Sequence, residues 1–424
     1  MTITYLKAAK PQAPERQIEL RDQVTDILLA IEKGGEAEAL RFARKFDGWQ
    51  GDIVVTPAEI AAATARLAPS VREDIDFAHA NIRQFADAQR ATLTDMEMEM
   101  APGFFAGQKS IPVLGAGCYA PGGRFSHVAS ALMTITTAKA AGVDFVAASS
   151  PPRGGAGISD EMAYAMHLAG ADQINRMGGV QAMASMAFGF FGMPRVDVLA
   201  GPGNAWVAEA KRQLFGRVGI DMVAGPTDSL IIADASASAE LVAWDMVGQM
   251  EHGADSPVWL VTGDETLART VLSLIPGLIG SLPESNAGSA RAAWDNLAEI
   301  ILCDTREEMA ETADRYAPEH LHVQAADLDW WLARLKAYGS LFLGAETTVA
   351  FGDKASGPNH VLPTSGAARY TGGLSVHKFL KTVTWQRSTS EAAQRVAEVT
   401  ARISRMEGME AHARTADIRL TPRS

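Results

Sequence analysis

From about residue 108 the chain repeats one pattern: a short apolar run, a glycine turn, then an amphipathic helical stretch. Strand and helix in alternation admit few folds, because each helix must cross over and lay its apolar stripe on the sheet; the result is a parallel sheet covered on both faces. The repeat is clearest where residues 196–199 run into Gly201-Pro-Gly-Asn204 and then into helix 205–214. A first set covers 108–214. It includes strands at 111–114, 145–148 and 173–176, helices at 128–141 and 159–169, and a helix at 180–188 opened by Gly178-Gly179. A second set follows, with strands at 229–233, 258–262, 299–302 and 340–343. Before both sets, residues 20–100 read as helices at 23–33, 36–46, 57–67 and 70–91, with Ser70 as N-cap and Glu73 completing a capping box. Residues 1–19 read as an arm, and residues from about 388 as one long helix.

The 424 residues allow two or three domains. A net charge of −12 speaks against a nucleic-acid surface, while leaving room for a local basic pocket for a small anion. No apolar run is long enough to span a membrane, and the N-terminus carries no signal-peptide pattern. Two cysteines, Cys118 and Cys303, make no disulfide framework, so a reducing, cytoplasmic setting is expected.

Four clusters carry chemistry. In Tyr316-Ala-Pro-Glu-His-Leu-His322 a helix stops at Pro318, and Glu319 and His320 follow as adjacent acid and base. His320 and His322 then share one face of a strand. Gln249 and His252, three apart, share a helical face. With Asp353 in a glycine-flanked loop and His412 near the C-terminus they supply two oxygens and two nitrogens, a set that suits zinc or manganese, although other acid-plus-histidine groupings can be drawn. Gly115-Ala-Gly-Cys-Tyr-Ala120 matches a dinucleotide fingerprint loosely, as a turn. Gly201-Pro-Gly-Asn204 opens a helix, where free N–H groups can hold a pyrophosphate or ribose. Cys118, with no acid or base within three residues, reads as a structural thiol.

Gly201-Pro-Gly-Asn-Ala-Trp-Val-Ala-Glu-Ala-Lys-Arg-Gln213, Asp221-Met-Val-Ala-Gly-Pro226, Gln249-Met-Glu-His-Gly253, Ala317-Pro-Glu-His-Leu321 and Ala355-Ser-Gly-Pro-Asn-His-Val-Leu-Pro-Thr364 resemble the histidinol dehydrogenase family. Ala120-Pro-Gly-Gly-Arg124, Gly216-Arg-Val-Gly-Ile220 and the segment from Met406 to Arg414 are most similar to its sulfopropanediol 3-dehydrogenase branch.

The resemblance implies an α/β fold of two incomplete Rossmann-like parallel-sheet domains with a small N-terminal arm and a C-terminal helical tail. The expected divisions are 1–19 for the arm, 20–117 with 228–374 for the zinc and substrate side, 118–227 for the NAD side, and 375–424 for a tail that crosses to the partner of a homodimer. It implies a zinc-dependent, NAD-linked enzyme that oxidises a primary alcohol to a carboxylate through a bound aldehyde. Gln249, His252, Asp353 and His412 fall on the zinc ligands. His320 falls on the base for the alcohol and Glu319 on the base for water. Tyr119, Gln181 and Asn204 fall on NAD contacts, and Thr227, His360 and Glu407 on substrate-side positions. His412 and Glu407 would serve the partner's site. Arg124 stands where histidinol dehydrogenases look to carry a small uncharged residue. Its guanidinium would repel the cationic amine of histidinol and fork onto a sulfonate, with His127 adding a donor. The expected substrate is therefore 2,3-dihydroxypropane-1-sulfonate, taken to 3-sulfolactate. L-histidinol is the nearest alternative. A zinc hydrolase with Glu319 as base, or a non-catalytic nucleotide-binding protein, are alternatives from other classes.

Overall fold

The computed structural model describes residues 3–11, 17–122, 126–153, 156–223 and 225–421. In chain order the elements are β1 (Thr4–Lys7), α1 (Gln17–Phe46), α2 (Pro57–Arg66), α3 (Pro69–Ala91), β2 (Met96–Ala101), β3 (Phe104–Pro112), β4 (Gly115–Tyr119), α4 (Val128–Ala141), β5 (Phe145–Ser150), α5 (Asp160–Leu168), β6 (Gln173–Arg176), α6 (Gly179–Phe188), β7 (Val198–Ala200), α7 (Ala205–Leu214) and β8 (Gly219–Ile220). There follow β9 (Ser229–Ala233), α8 (Ala239–Met250), β10 (Val258–Thr262), α9 (Glu265–Gly280), α10 (Glu284–Asn296), β11 (Glu299–Leu302), α11 (Arg306–Tyr316), β12 (His320–Gln324), α12 (Leu328–Arg334), β13 (Ser340–Leu343), α13 (Val349–Gly352), β14 (Leu380–Ser388), α14 (Ser390–Met406) and α15 (Glu410–Asp417).

The chain is α/β, built on two parallel sheets. One runs β6-β5-β4-β7-β8, the other β11-β10-β9-β12-β13 with β1 added antiparallel at the β11 edge. Numbered within itself, each sheet has the strand order 3-2-1-4-5, the Rossmann order without its sixth strand. A separate antiparallel ribbon, β14-β3-β2, ties the C-terminal region to residues 96–112.

Strand alternation explains the cores. Ala116 and Cys118 of β4 face α3, α4 and α5, while Tyr119 faces α1, α6 and α7. In the second sheet, Ile231 and Leu260 face α8, α9 and α10, while Leu230, Ile232, Leu321 and Val323 face α11 and α12. Strands buried on both faces are normally apolar throughout. β12 is not: Leu321 and Val323 fill one face, whereas His320, His322 and Gln324, all buried, occupy the other.

Several expectations need correction. Gly115–Tyr119 is no turn but a central strand, paired with β5 and β7. Its glycine is there for closeness: a Cβ on Gly117 would sit 2.9 Å from Leu199 and Met186 side chains. The helices of 20–91, grouped above with the six-stranded sheet, pack on the five-stranded one, α1 against α6 and α7, and α2 and α3 against α4 and α5. Ser70 caps nothing. Pro69, which has no N–H to leave unsatisfied, takes the first position of α3, and the capping box lies instead at Thr56 and Glu59 of α2. The N-terminal arm contributes β1. The C-terminal helix breaks at Gly408, whose φ of +76° ends α14 before α15 begins. Both cysteines are buried and free, and among the described residues no helix is long and apolar enough to cross a membrane.

Candidate active site

One cavity, of about 330 Å³, lies at the N-terminal ends of β9 and β12. Chain geometry delivers its acid and base. α11 ends on Ala317, held in the left-handed region at φ +48° without the freedom of glycine, a strain of about 1 kcal/mol or more. The chain then turns through Pro318 and enters β12. Glu319 and His320 are thereby buried at the strand's mouth, with His320 Nδ1 3.6 Å from Glu319 Oε2. Asp228, just before β9, fixes the bend. Its Oδ1 accepts the Glu319 N–H at 2.6 Å, its Oδ2 accepts the Ser365 N–H at 2.8 Å, and its own N–H donates to Glu319 Oε2 at 3.3 Å.

Asp353, at the C-terminal end of α13, is the centre of the cluster. Its Oδ2 lies 3.7 Å from His252 Nε2 and its Oδ1 3.5 Å from His320 Nε2. Its carbonyl accepts from His360 Nδ1 at 2.8 Å, and His360 Nε2 accepts the Ser130 hydroxyl at 2.8 Å. His360 is thus held as one tautomer. Gln249 lies in the last turn of α8, three residues before His252, buried, and its Oε1 has no hydrogen-bond partner. Neither ring nitrogen of buried His320 has a partner either. A buried orphan acceptor costs about 1–3 kcal/mol unless something outside the chain satisfies it. The oxygen of Gln249, a histidine nitrogen and a carboxylate suit zinc, so the residues fit that ion. Among the described residues no three His, Cys, Asp or Glu side chains gather as a metal site: of those types only His252 and Asp353 come from the expected set.

Electrostatics follow from burial and crowding. Burial pushes the Glu319 carboxyl up to about 8. Burial works against charge on His320, but Glu319, Asp353 and Asp228 outweigh it and raise the imidazole to about 9. Burial likewise opposes ionisation of Asp353, yet His320, His360 and His252 hold it well below the usual carboxylate range. Burial lowers His252 and His360.

A second cavity, of about 520 Å³, opens at the C-terminal ends of the five-stranded sheet and shares Pro121, His127 and Asn204 with the first. Tyr119 and Gln181 line it. The Tyr119 hydroxyl accepts the Gly179 N–H at 3.3 Å, and Gln181 Nε2 donates to Asp47 at 3.0 Å, a carboxylate that also accepts the Gly178 N–H at 3.1 Å. Asn204 caps α7 through the N–H groups of Trp206 and Val207. The loop before it is locked at Gly201, whose N–H donates to Asp221 at 2.7 Å and whose carbonyl accepts from Lys211 at 2.9 Å. Lys211 and Asp221 are themselves a buried ion pair.

The structure therefore brings together His252, Asp353, Glu319, His320, Thr227 and His360 around one cavity, with Gln249 buried on α8 three residues before His252, and Tyr119, Gln181 and Asn204 around the neighbouring cavity. It does not bring His412 or Glu407 there. Both are exposed, on α15 and at the end of α14, and line neither cavity. Arg124 lies outside the described residues. Asp228, Ser130, Lys354 and Asp47 were not singled out from the sequence. An acid directly before a strand that is apolar after its first residue was the available signal for Asp228; nothing local distinguishes the other three.

Comparison with known proteins agrees. The sequence model described as histidinol dehydrogenase matches residues 10–420. A histidinol dehydrogenase homolog of Ruegeria pomeroyi is 62% identical over 420 residues, covering 99% of this chain and 97% of that one. A sulfopropanediol 3-dehydrogenase of the same organism is 60% identical with the same coverage. The crystal structure of histidinol dehydrogenase from Elizabethkingia anophelis superposes with a TM-score of 0.90 at 32% identity, over 97% of this chain and 94% of that one. A family match over nearly the whole chain, a shared fold, and an acid–base pair set in a polar cavity together place this chain in the histidinol dehydrogenase family, as a dehydrogenase.

Proposed function

We propose that the chain is a zinc-dependent, NAD-linked dehydrogenase that oxidises a primary alcohol through a bound aldehyde to a carboxylate, and that its substrate is an anionic diol, 2,3-dihydroxypropane-1-sulfonate, converted to 3-sulfolactate. The observation that carries the reading is the junction of the two cavities. A polar cavity lined by His252, Asp353 and His320, whose ring nitrogens are orphaned, meets a larger one lined by Tyr119 and Gln181, with His127 and Asn204 in both walls. Gln249, His252 and Asp353 would hold zinc, and the second cavity NAD. When bound, the ion supplies a Lewis acid, and two NAD molecules in succession supply the hydride acceptors, one for the alcohol and one for the hydrated aldehyde. The neutral form of His320 would take the alcohol proton on a ring nitrogen that no other group occupies. The ionised form of Glu319, braced by Asp228, would take the proton from the water that adds to the aldehyde, and both forms gain population as pH rises.

The sulfonate reading rests on the 60% identical relative of that name and on one lysine in the cavity wall. Lys354 lines the catalytic cavity and, among the described residues, forms no ion pair. Arg124 supports the same reading on sequence grounds. A homodimer in which His412 and Glu407 serve the partner's site accounts for their exposure here. Val396, Val399, Ile403 and Met406 form an exposed apolar stripe along α14, as an interface would require. The relatives named histidinol dehydrogenase, such as the 38% identical one of Methanosarcina barkeri, sustain L-histidinol as a second reading.

The test is NAD reduction by the purified chain with each compound, before and after chelation and zinc replacement. Turnover of the sulfonate that is lost on chelation and restored by zinc is expected. Lys354→Met should raise KM for the sulfonate about tenfold with little change in kcat, because the contact is to a part of the substrate that does not react. Efficient oxidation of L-histidinol alone, or full activity without metal, would overturn the reading.

A further inference from the structure

Beneath the cavity lies a polar cluster that the chemistry above does not use. Asp245 sits on α8 one turn before Gln249, on the same helical face, and His252 stands in the turn that follows the helix. Opposite runs the polar face of β12, with His320, His322 and Gln324. Asp245 Oδ2 accepts from Gln324 Nε2 at 2.6 Å and lies 3.4 Å from His322 Nδ1. Its Oδ1 accepts the Thr348 hydroxyl at 2.7 Å. His322, fully buried, donates through Nε2 to the carbonyl of Gly344 at 2.9 Å.

Thr348 is informative. It is the N-cap residue of α13, where a threonine hydroxyl ordinarily accepts from the helix's first N–H groups. Here it makes no such cap and turns to Asp245 instead. α13 leads within one turn to Asp353. One carboxylate is therefore bonded to the strand that carries His320 and to the turn that carries Asp353, while itself standing on the helix that carries Gln249 and ends just before His252.

We infer that Asp245 is a positioning residue. It fixes the mutual spacing of the three elements from which the catalytic cavity is assembled, and it does so through hydrogen bonds rather than through its charge. In its zinc consequence the inference rests on the function proposed above; in its geometry it does not.

The test compares Asp245→Ala with Asp245→Asn in the whole chain. Asparagine keeps an acceptor for Thr348 and can donate to Gln324 Oε1, which has no partner at present, once that amide turns over. Two readouts are needed. Hydrogen–deuterium exchange of the metal-free protein should rise for Asp245→Ala in the C-terminal half of α8, in β12 and in residues 348–353, but not in β4 and β5. Zinc affinity, from competition with a chromogenic chelator, should fall about tenfold or more, the usual effect of removing a group that supports a metal site from behind. Asp245→Asn should restore both. Unchanged exchange in β12 and 348–353 for Asp245→Ala overturns the inference, as does an asparagine variant that behaves like alanine. A lowered melting temperature with wild-type zinc affinity overturns it too, because that is what a merely structural group would give. If the unmodified chain binds no zinc, the metal reading fails and the exchange experiment alone decides this one. Should Asp245→Ala not fold, Thr348→Val removes a single O–H; it should raise exchange in 348–353, and no change there overturns the inference.

Discussion

Replacing Gly201 by alanine should disable the nucleotide side of the site, and the magnitude can be worked from the backbone. Gly201 has φ +122°, a region open to glycine and costly to an L-residue by about 1–3 kcal/mol. The added Cβ would also stand 2.1 Å from the carbonyl oxygen of Tyr119, 3.0 Å from its carbon and 3.1 Å from its nitrogen. Carbon–oxygen contacts settle at about 3.3 Å or more, so the end of β7 must move roughly 1 Å away from the end of β4. No flexible side chain can yield instead, because the obstacle is main chain. The shift would strain the Gly201 bonds to Asp221 and Lys211 and carry Asn204 out of place. Adding about 1–3 kcal/mol for overpacking, the total cost is roughly 2–6 kcal/mol. NADH affinity, read by fluorescence titration, should weaken about 10- to 100-fold, the scale of an ångström misplacement. Thermal melting should fall in parallel. An alanine variant with wild-type melting and wild-type NADH affinity would refute the reasoning.

Lys211→Met should cost about 3–5 kcal/mol in denaturant stability by leaving the Asp221 carboxylate buried and unpaired, and adding Asp221→Asn should recover most of it. A double variant no better than the single one would count against the clamp. His127 gives a pH test. Burial, followed by the charges of His360, Lys354, His252 and Arg153, lowers it to about 4. The unfolded chain takes up a proton near pH 6.5 that the native imidazole refuses, so the stability this group contributes is complete above that pH and is lost as pH falls towards 4. With allowance for its partial exposure the loss is roughly 2 kcal/mol, and urea titrations of His127→Asn should show correspondingly less acid destabilisation than the parent. Equal pH profiles would contradict it.

The parallel α/β architecture was legible because its periodicity is local: apolar run, turn, amphipathic helix. The residues that gather in the cavity were legible through short motifs, since Glu319 and His320 are neighbours and Gln249 and His252 share a helical face. Gly115–Tyr119 was misread because glycine serves both turns and crowded strands; only the proximity of Met186 and Leu199, distant in sequence, decides between them. The same limit hid Asp245. Its partners Gln324 and Thr348 lie 79 and 103 residues away, and no spacing rule reaches that far. His412 and Glu407 illustrate the converse: the family's motifs single them out, but within one chain nothing brings them to the cavity.

The two sheets have the same strand order yet present opposite ends to the cleft. The five-stranded sheet offers the C-terminal ends of its strands, so the helices that begin there point their N-termini inward: α4 at His127, α6 at Gly178 and α7 at Asn204. The six-stranded sheet offers the N-terminal ends of its strands, and the helices arriving there point their C-termini inward: α8 just before His252 and α11 just before Glu319. Helix N-termini carry partial positive charge and C-termini partial negative charge. The cleft is thus polarised by its own backbone before any ionisable side chain is counted. Anionic phosphates are drawn to one wall, and a divalent cation or a protonated imidazole to the other. A ligand that carries both kinds of charge can lie across this cleft favourably in only one direction.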